Sequence, residues 1–209
     1  MQFYERHVLP RLIDLVCAGK QQRRQRQKVI PLASGRVLEI GFGSGLNLPF
    51  YAAQSVDKLW GLDPSAGMQD LAQRRLHQAS MPVELLPAPA EAIPLDTRSI
   101  DTVVITYTLC SLPDLPGAMS EIRRVLRPGG RLLFCEHGAA PEARVLRWQR
   151  RLNPLWRRVS GGCNLDRPIP QLIESHGFQI RALQMGYVPG WKPASYNYWG
   201  EACAPGSGS

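Results

Sequence analysis

Nine residues, Val37-Leu-Glu-Ile-Gly-Phe-Gly-Ser-Gly45, constrain this chain more than any others. An apolar strand runs into glycines at 41, 43 and 45. Glycine takes left-handed backbone conformations at no steric cost and leaves the main chain bare, so the pattern is a strand that turns sharply towards a helix and lets a ligand approach the backbone. The dinucleotide fingerprint G-x-G-x-x-G needs its third glycine five residues after the first, and that place is Leu46. Glu39 lies two residues before the turn. Its carboxylate would repel a pyrophosphate but suits a ligand with an ammonium and a sulfonium, such as S-adenosylmethionine. The competing reading of the motif is a tight turn without a ligand.

A second apolar strand, Lys58-Leu-Trp-Gly-Leu62, ends in Asp63, 22 residues after Gly41. About 20 residues is the spacing at which an acid meets the ribose hydroxyls of a nucleoside cofactor. Asp63 is therefore the candidate ribose residue. The alternative is a helix cap, a role Ser65 fills equally well.

The remaining pattern alternates strand and helix, which indicates a parallel, doubly wound sheet. Ala66 to Ala79 carries Met68, Leu71, Ala72, Leu76 and Ala79 at helical spacing. Strands are expected at Pro82 to Leu86, at the β-branched run Ile100 to Thr106, and at Arg131 to Cys135. Between the last two, Leu115 to Leu126 reads as a helix stopped by Arg127-Pro-Gly-Gly130. Phe178 to Met185 and Tyr196 to Ala204 read as an antiparallel hairpin at the sheet edge, and Gly206-Ser-Gly-Ser209 as a flexible tail.

At 209 residues the chain matches one α/β domain. No apolar run reaches the roughly 18 residues of a membrane span, and the first residues lack a signal-peptide pattern, so a cytoplasmic location is expected. Five cysteines without C-x-x-C pairing suggest neither a disulfide framework nor a zinc site, so no metal is expected.

On such sheets ligands bind outside the carboxyl ends of the strands. That rule nominates residues 41–47, 63–64, 88–93, 106–111 and 136–138. The cofactor-binding set is Glu39, Gly41, Phe42, Gly43, Gly45, Asn47, Asp63, Pro64, Met68, Ala90, Glu91, Thr106 and Tyr107.

From about Arg36 to Cys203 the chain resembles the class I S-adenosylmethionine-dependent methyltransferases. Glu39-x-Gly41-x-Gly43-x-Gly45 is similar to their first motif, Asp63 to their ribose-binding acid, and Ala90-Glu91 to the segment beside the adenine. Ser99-Ile-Asp101 and Arg123-Arg-Val-Leu-Arg-Pro-Gly-Gly130 also resemble family segments. The resemblance implies a Rossmann-like, seven-stranded, mostly parallel sheet with an antiparallel C-terminal hairpin strand. A narrower similarity, carried by Tyr51, Thr108-Leu-Cys-Ser111, Phe134-Cys-Glu-His137, Pro154-Leu-Trp156 and Gly162-Cys-Asn-Leu-Asp-Arg167, is to the methyltransferase-like-7 group. Its animal members are alkyl thiol S-methyltransferases, and they carry an N-terminal membrane-anchoring segment that this sequence lacks. Asn47-Leu-Pro-Phe-Tyr51 together with the first motif also resembles bacterial phosphatidylethanolamine N-methyltransferases.

Methyl transfer from a sulfonium is an in-line displacement, so the protein must chiefly hold the acceptor and exclude water. A thiol with a pKa near 8.5 needs little help with its proton, whereas an amine or hydroxyl needs a better base. Side chains available near the strand ends are His137, Tyr107, Cys110 and Asp166. His137, titrating near neutrality, is the first choice as a base, with a structural histidine as the alternative.

The formal charge of +8 is concentrated in two segments, residues 1–36 at +6 and residues 142–167 at +5, which leaves the remainder at −3. Both segments are amphipathic. Phe3, Tyr4, Val8, Leu12, Leu15 and Val16 recur at helical spacing ahead of the polar run Lys20 to Lys28, and Val145, Trp148, Leu152, Leu155, Trp156 and Val159 recur among arginines. The organisation read from this is a basic helical segment at 1–35, a catalytic domain at 36–205 with an insertion at about 141–167, and a tail at 206–209. The stripes pack over the cofactor cleft as lids in one reading, and in the other they lie on an anionic membrane surface. A nucleic-acid partner is disfavoured, because Thr106-Tyr-Thr-Leu109 lacks the Pro-Pro-aromatic segment of base-amine enzymes and no RNA-binding module accompanies the basic runs. The expected activity is methyl transfer to a small or lipid-like acceptor, a thiol first. The alternatives are a phospholipid amine acceptor, or cofactor binding at a membrane without transfer.

Overall fold

The computed structural model describes residues 9–204. The expectations on Phe3, Tyr4, Val8 and the tail at 206–209 lie outside the described residues.

Seven strands form one sheet in the order β3-β2-β1-β4-β5-β7-β6. β1 (Gly35–Ile40), β2 (Val56–Leu62), β3 (Val83–Leu86), β4 (Ile100–Thr106) and β5 (Leu126–His137) are parallel. β6 (Gln179–Tyr187) and β7 (Tyr196–Cys203) are the antiparallel hairpin, with β7 against β5. The α/β fold class, doubly wound with an antiparallel edge, is the one the sequence implies.

Consecutive residues of β1 and β4 feed opposite faces of the sheet. Val37 and Val104 join one core with Val29, Ile30 and Leu133, while Leu38, Val103 and Ile105 join another with Met119, Ile122 and Ile173. Both faces are covered, which is why β4 reads as an unbroken apolar run rather than an alternating one. Each such buried side chain contributes about 1.5–3 kcal/mol, so β1 and β4 are the firm floor to which looser segments attach.

Capping fixes the helices after β2 and β4. The Ser65 hydroxyl accepts from the Met68 amide and opens α3 (Ala66–Arg75); Asp114 accepts from the Gly117 amide at 3.0 Å and opens α4 (Leu115–Val125). Strand β5 starts earlier than the expected Arg131. Leu126 already pairs with Ile100, and the next matched pair is Thr102 with Arg131, so Arg127 to Gly130 bulge out, with Gly129 at φ +74°.

The N-terminal segment differs more. The chain breaks at Ala18 and Gly19 into α1 (Leu9–Cys17) and α2 (Lys20–Val29). Leu12, Leu15 and Val16 face outwards, and it is Pro10, Ile13, Asp14 and Cys17 that turn inwards. The polar run is not wholly a solvated face either. Gln25 and Arg26 are buried, and α2 packs against β5 and β7, with the Lys28 ammonium 3.8 Å from the Trp199 ring centre. The Arg- and Trp-rich insertion forms α5 (Ala143–Val159), followed by α6 (Ile169–Ser175).

Candidate active site

The chain winds from β1 outwards through β2 and β3, then returns to β4 and β5 on the other side. The gap between β1 and β4 is thus the switch point at which open α/β sheets bind ligands. A cavity of about 410 Å3 opens there, a size suited to a small molecule.

The glycine loop is pinned on one side and bare on the other. The Gly41 and Phe42 amides donate to the Leu62 carbonyl at 2.9 and 3.0 Å. Gly41 has φ +69°, and a Cβ there would strike the Thr108 side chain. Gly43 has φ +56°, yet a Cβ on it would meet nothing nearer than 3.8 Å, because it faces the cavity. Its amide donates to Asp63 Oδ2 at 2.9 Å, and the Ser65 amide donates to Oδ1 at 2.9 Å. Those two bonds leave lone pairs free, since an ionised carboxylate accepts at about four positions. Burial raises the Asp63 pKa, opposed by the two amides. The cap of α3 is Ser65.

Glu39 is buried beneath the loop, where Asn47 Nδ2 donates to one oxygen at 2.8 Å and Tyr51 Oη to the other at 2.6 Å. Burial pushes it up to about 7 against these bonds. Asn47 Nδ2 also reaches Thr106 Oγ1 at 3.0 Å, but Asn47 Oδ1 is a buried acceptor with no protein partner. A buried acceptor left open beside an acid is a site for a cationic donor. Facing it from α2 is Arg26, 5% exposed, whose Nη1 donates to the Cys17 carbonyl at 2.6 Å while Nε has no protein partner. The Arg26 guanidinium also lies 5.5 Å from the centre of the Tyr107 ring.

Beyond β4 the loop is strained and held from below. Tyr107 has φ +53°, which is uncommon for a bulky residue and clusters at functional sites, and its hydroxyl donates to Asn197 Oδ1 at 3.0 Å. Glu136, fully buried, accepts from the Thr108 and Leu109 amides at 2.6 and 2.9 Å. Burial lifts it to about 7 against these amides. From above, Asp14 of α1 accepts from both Nη atoms of Arg75 at 2.8 and 2.9 Å and from the Ser44 hydroxyl, while Arg75 Nη1 also donates to the Ser44 carbonyl. Helix α1 is thereby latched to the glycine loop and to α3.

Of the residues proposed from sequence, Glu39, Gly41, Phe42, Gly43, Asn47, Asp63, Pro64, Met68, Ala90, Glu91, Thr106 and Tyr107 line this cavity. Gly45 does not; its positive φ of +79° turns the loop against Phe42 and Leu48. His137 is also absent from the wall. The loop after α5 covers the end of β5, and His137 Nε2 lies 2.8 Å from Cys163 Sγ, with Cys110 Sγ 3.5 Å beyond. Burial lowers the imidazole pKa, but Cys163 and the Glu136 carboxylate together raise it, and the net shift is upwards. Asp166 is held by Asn153 Nδ2 at 2.8 Å, away from the cavity. Three participants escaped the sequence reading. Arg26 was hidden in a run of polar residues, Asp14 lay on the face of α1 opposite the expected apolar stripe, and Glu136 was nominated only by its strand end, without a role.

The family described as a methyltransferase domain matches residues 38–134. Thiol S-methyltransferase TMT1B of Rattus norvegicus is 33% identical over 174 residues, covering 79% of this chain and 69% of its own length. A phosphatidylethanolamine N-methyltransferase of Cereibacter sphaeroides is 32% identical over 123 residues, 58% of this chain and 60% of its own. Among solved structures, a methyltransferase of Thermotoga maritima described as a possible histamine N-methyltransferase superposes with TM-score 0.68 at 18% identity, covering 97% of this chain and 98% of that one, a likeness of fold. This chain belongs to the class I S-adenosylmethionine-dependent methyltransferases. Within them it groups with the relatives named thiol S-methyltransferases. It is an enzyme, and its cofactor is S-adenosylmethionine. The cavity fits that molecule: an open acceptor at Asn47, an open guanidinium donor at Arg26 and a bare glycine at 43 answer an ammonium, a carboxylate and a chain needing close backbone approach.

Proposed function

We propose that this methyltransferase acts on a small apolar thiol. When bound, S-adenosylmethionine supplies an electrophilic methyl on a sulfonium. Arg26 holds the carboxylate of the methionine moiety, Asn47 Oδ1 and Glu39 hold its ammonium, and Asp63 takes the ribose hydroxyls. Ala90 and Glu91 flank the adenine.

The observation that carries the choice of acceptor is the remaining wall. Pro10, Ile13, Cys17, Leu112, Pro113 and Gly161 line it beside Thr108 and Ser111, whose hydroxyls donate to main-chain carbonyls, and no imidazole joins them among the described residues. Asp14 on this side is already committed to Arg75 and Ser44. Such a wall excludes water and orients an apolar group but offers no free base. A thiol, a few per cent thiolate at pH 7, reacts without one, while an ammonium must first lose its proton. The names of the relatives support the same reading.

The test is incubation of the purified chain with methyl-labelled cofactor and separate alkyl thiols, phosphatidylethanolamine vesicles and reduced quinones. Label is expected on alkyl thiols. Label confined to the phospholipid or quinol would overturn the thiol assignment.

A membrane-facing role is a second proposal, favoured by what α1 and α5 expose. Leu12, Leu15 and Val16 on α1, and Trp148, Leu155 and Val159 on α5, are each about half or more exposed. Ile13 reaches to within 3.4 Å of the position a Gly161 Cβ would take, so α1 lies beside the C-terminal end of α5. Arginines 144, 147, 150, 151, 157 and 158 are exposed around them. Large apolar groups among exposed cations suit an anionic interface, where apolar acceptors partition. Co-sedimentation with anionic vesicles, weakened in Trp148→Ala and by salt, is expected. Absence of sedimentation at low salt would remove the proposal.

A further inference from the structure

We propose that Cys110, His137 and Cys163 form a zinc-binding site. The three donors come from the loop after β4, the end of β5 and the loop after α5, and their ligand atoms all lie within 4.8 Å of one another. Two thiolates and an imidazole are the donors that zinc prefers, and three protein ligands leave a fourth position for water or another small ligand. Two thiolates also balance the charge of the ion, so the site is neutral where it is partly buried.

The distances suit an ion better than a disulfide. A tetrahedral zinc with bonds of about 2.3 Å to sulfur places two sulfurs roughly 3.8 Å apart. Cys110 Sγ and Cys163 Sγ are 3.5 Å apart, both thiols free, whereas a disulfide bond measures about 2.05 Å. The contact of 2.8 Å between His137 Nε2 and Cys163 Sγ must open to about 3.5 Å, the separation of a nitrogen and a sulfur on one tetrahedral zinc, by a rotation of the ring.

The backbone around the cluster is built to present Cys163. Gly161 and Gly162, at φ +66° and +90°, reverse the chain after α5. The Asn164 amide and its Nδ2 both donate to the Cys110 carbonyl, at 2.9 and 2.8 Å, which ties the two cysteine loops together. Arg167 donates to the Leu109 and Leu112 carbonyls from the far side. The nearby Glu136 carboxylate is taken up by main-chain amides and does not compete as a ligand. This site stands apart from the choice of acceptor, and holds whether or not the acceptor is a thiol.

Cobalt(II) titration of the full-length chain, reduced and freed of metal by chelation, tests it. One equivalent should bind with a sulfur-to-cobalt charge-transfer band and tetrahedral visible bands, both bleached by zinc. Cys163→Ser and Cys110→Ser should each abolish the band and weaken zinc by more than the roughly 10- to 100-fold expected for loss of an outer-shell partner, while Cys203→Ser keeps it. Retained S-adenosylmethionine binding in Cys163→Ser shows that the variant is folded. X-ray absorption on the zinc-loaded wild-type chain gives a reading free of variants: two sulfurs at about 2.3 Å and one nitrogen at about 2.0 Å. The proposal is overturned by a folded, reduced protein with no cobalt band, by a band that survives both substitutions, or by a Cys110 to Cys163 disulfide in protein purified without oxidant.

Discussion

The two ends of the cavity are built on different principles. At the cofactor end, Glu39, Asn47, Asp63 and Tyr51 are buried or nearly so, and most of their polar atoms are engaged, with Asn47 Oδ1 left open. At the acceptor end, α1 contributes apolar residues whose neighbours on the same helix stand in solvent, and the loops carrying Leu112 and Gly161 complete the wall. The first end is preorganised by short-range hydrogen bonds on the two central strands. The second depends on a latch of one aspartate and on the packing of amphipathic helices. A cofactor common to a superfamily can be met by a fixed frame, while an acceptor is met by parts that can be exchanged without disturbing the sheet.

The sharpest way to break this contrast is Gly43→Val. Nothing in the protein fills the space beyond Gly43, so the branched side chain should stop S-adenosylmethionine binding, lowering affinity at least ~100-fold. The positive φ should cost only about 1–2 kcal/mol of stability. Calorimetric titration and thermal melting read the two effects apart. If affinity survives, the frame is not fitted to the cofactor. Arg26→Met should weaken the cofactor by about 10- to 100-fold, the range for a lost hydrogen bond to a charged group. Decarboxylated S-adenosylmethionine discriminates, because its affinity should hardly change. An equal loss for both compounds would make Arg26 a structural residue.

A smaller effect is expected from pH. Burial disfavours the charge of Glu39 and pushes its pKa up to about 7. A cationic ligand favours the ionised form, so the complex carries fewer protons than the free enzyme, and affinity should fall as pH drops through 7. The fall is up to about tenfold per unit, measured between about pH 6 and 7.5, below the range where an α-ammonium loses its own proton. Glu39→Gln should flatten that profile, and a flat wild-type profile would place the ammonium elsewhere. The smallest change is assigned to Asp14→Asn. Its partly exposed pair with Arg75 contributes about 1 kcal/mol or less, so cofactor affinity should drop only a few-fold, through faster dissociation in stopped-flow traces. A loss as large as that of Arg26→Met would show that the acceptor end is as firmly built as the other.

What was legible in the sequence follows the same division. The glycine spacing, the acid 22 residues later and the β-branched run at 100–106 are local patterns, and backbone geometry turns them directly into structure. Arg26 was not legible, because two buried polar residues in a run of nine leave no periodic mark, and what α2 packs against, Tyr107 and strands β5 and β7, is distant in sequence. The stripes on α1 and α5 were visible as stripes, but spacing does not say what covers them. The inward face of α1 proved to be the one carrying Asp14. His137 was placed by its strand end, a rule that cannot foresee a loop folding over it from residues 160–164. Cys110, His137 and Cys163 each stand in a segment shared with a known group, but 26 residues or more separate each from the next, so no spacing announces that they meet.

The seat of α2 on β5 and β7 has a consequence for how the enzyme is made. Lys28 rests on Trp199, and α2, the helix that carries Arg26, is seated on β5 and β7. A nascent chain halted before β7 can form the glycine loop and Asp63 and still lack the guanidinium that completes the cofactor site. Tight cofactor retention therefore depends on β7, and chains cut short before Tyr196 should be released from a cofactor-bearing resin that holds residues 1–209.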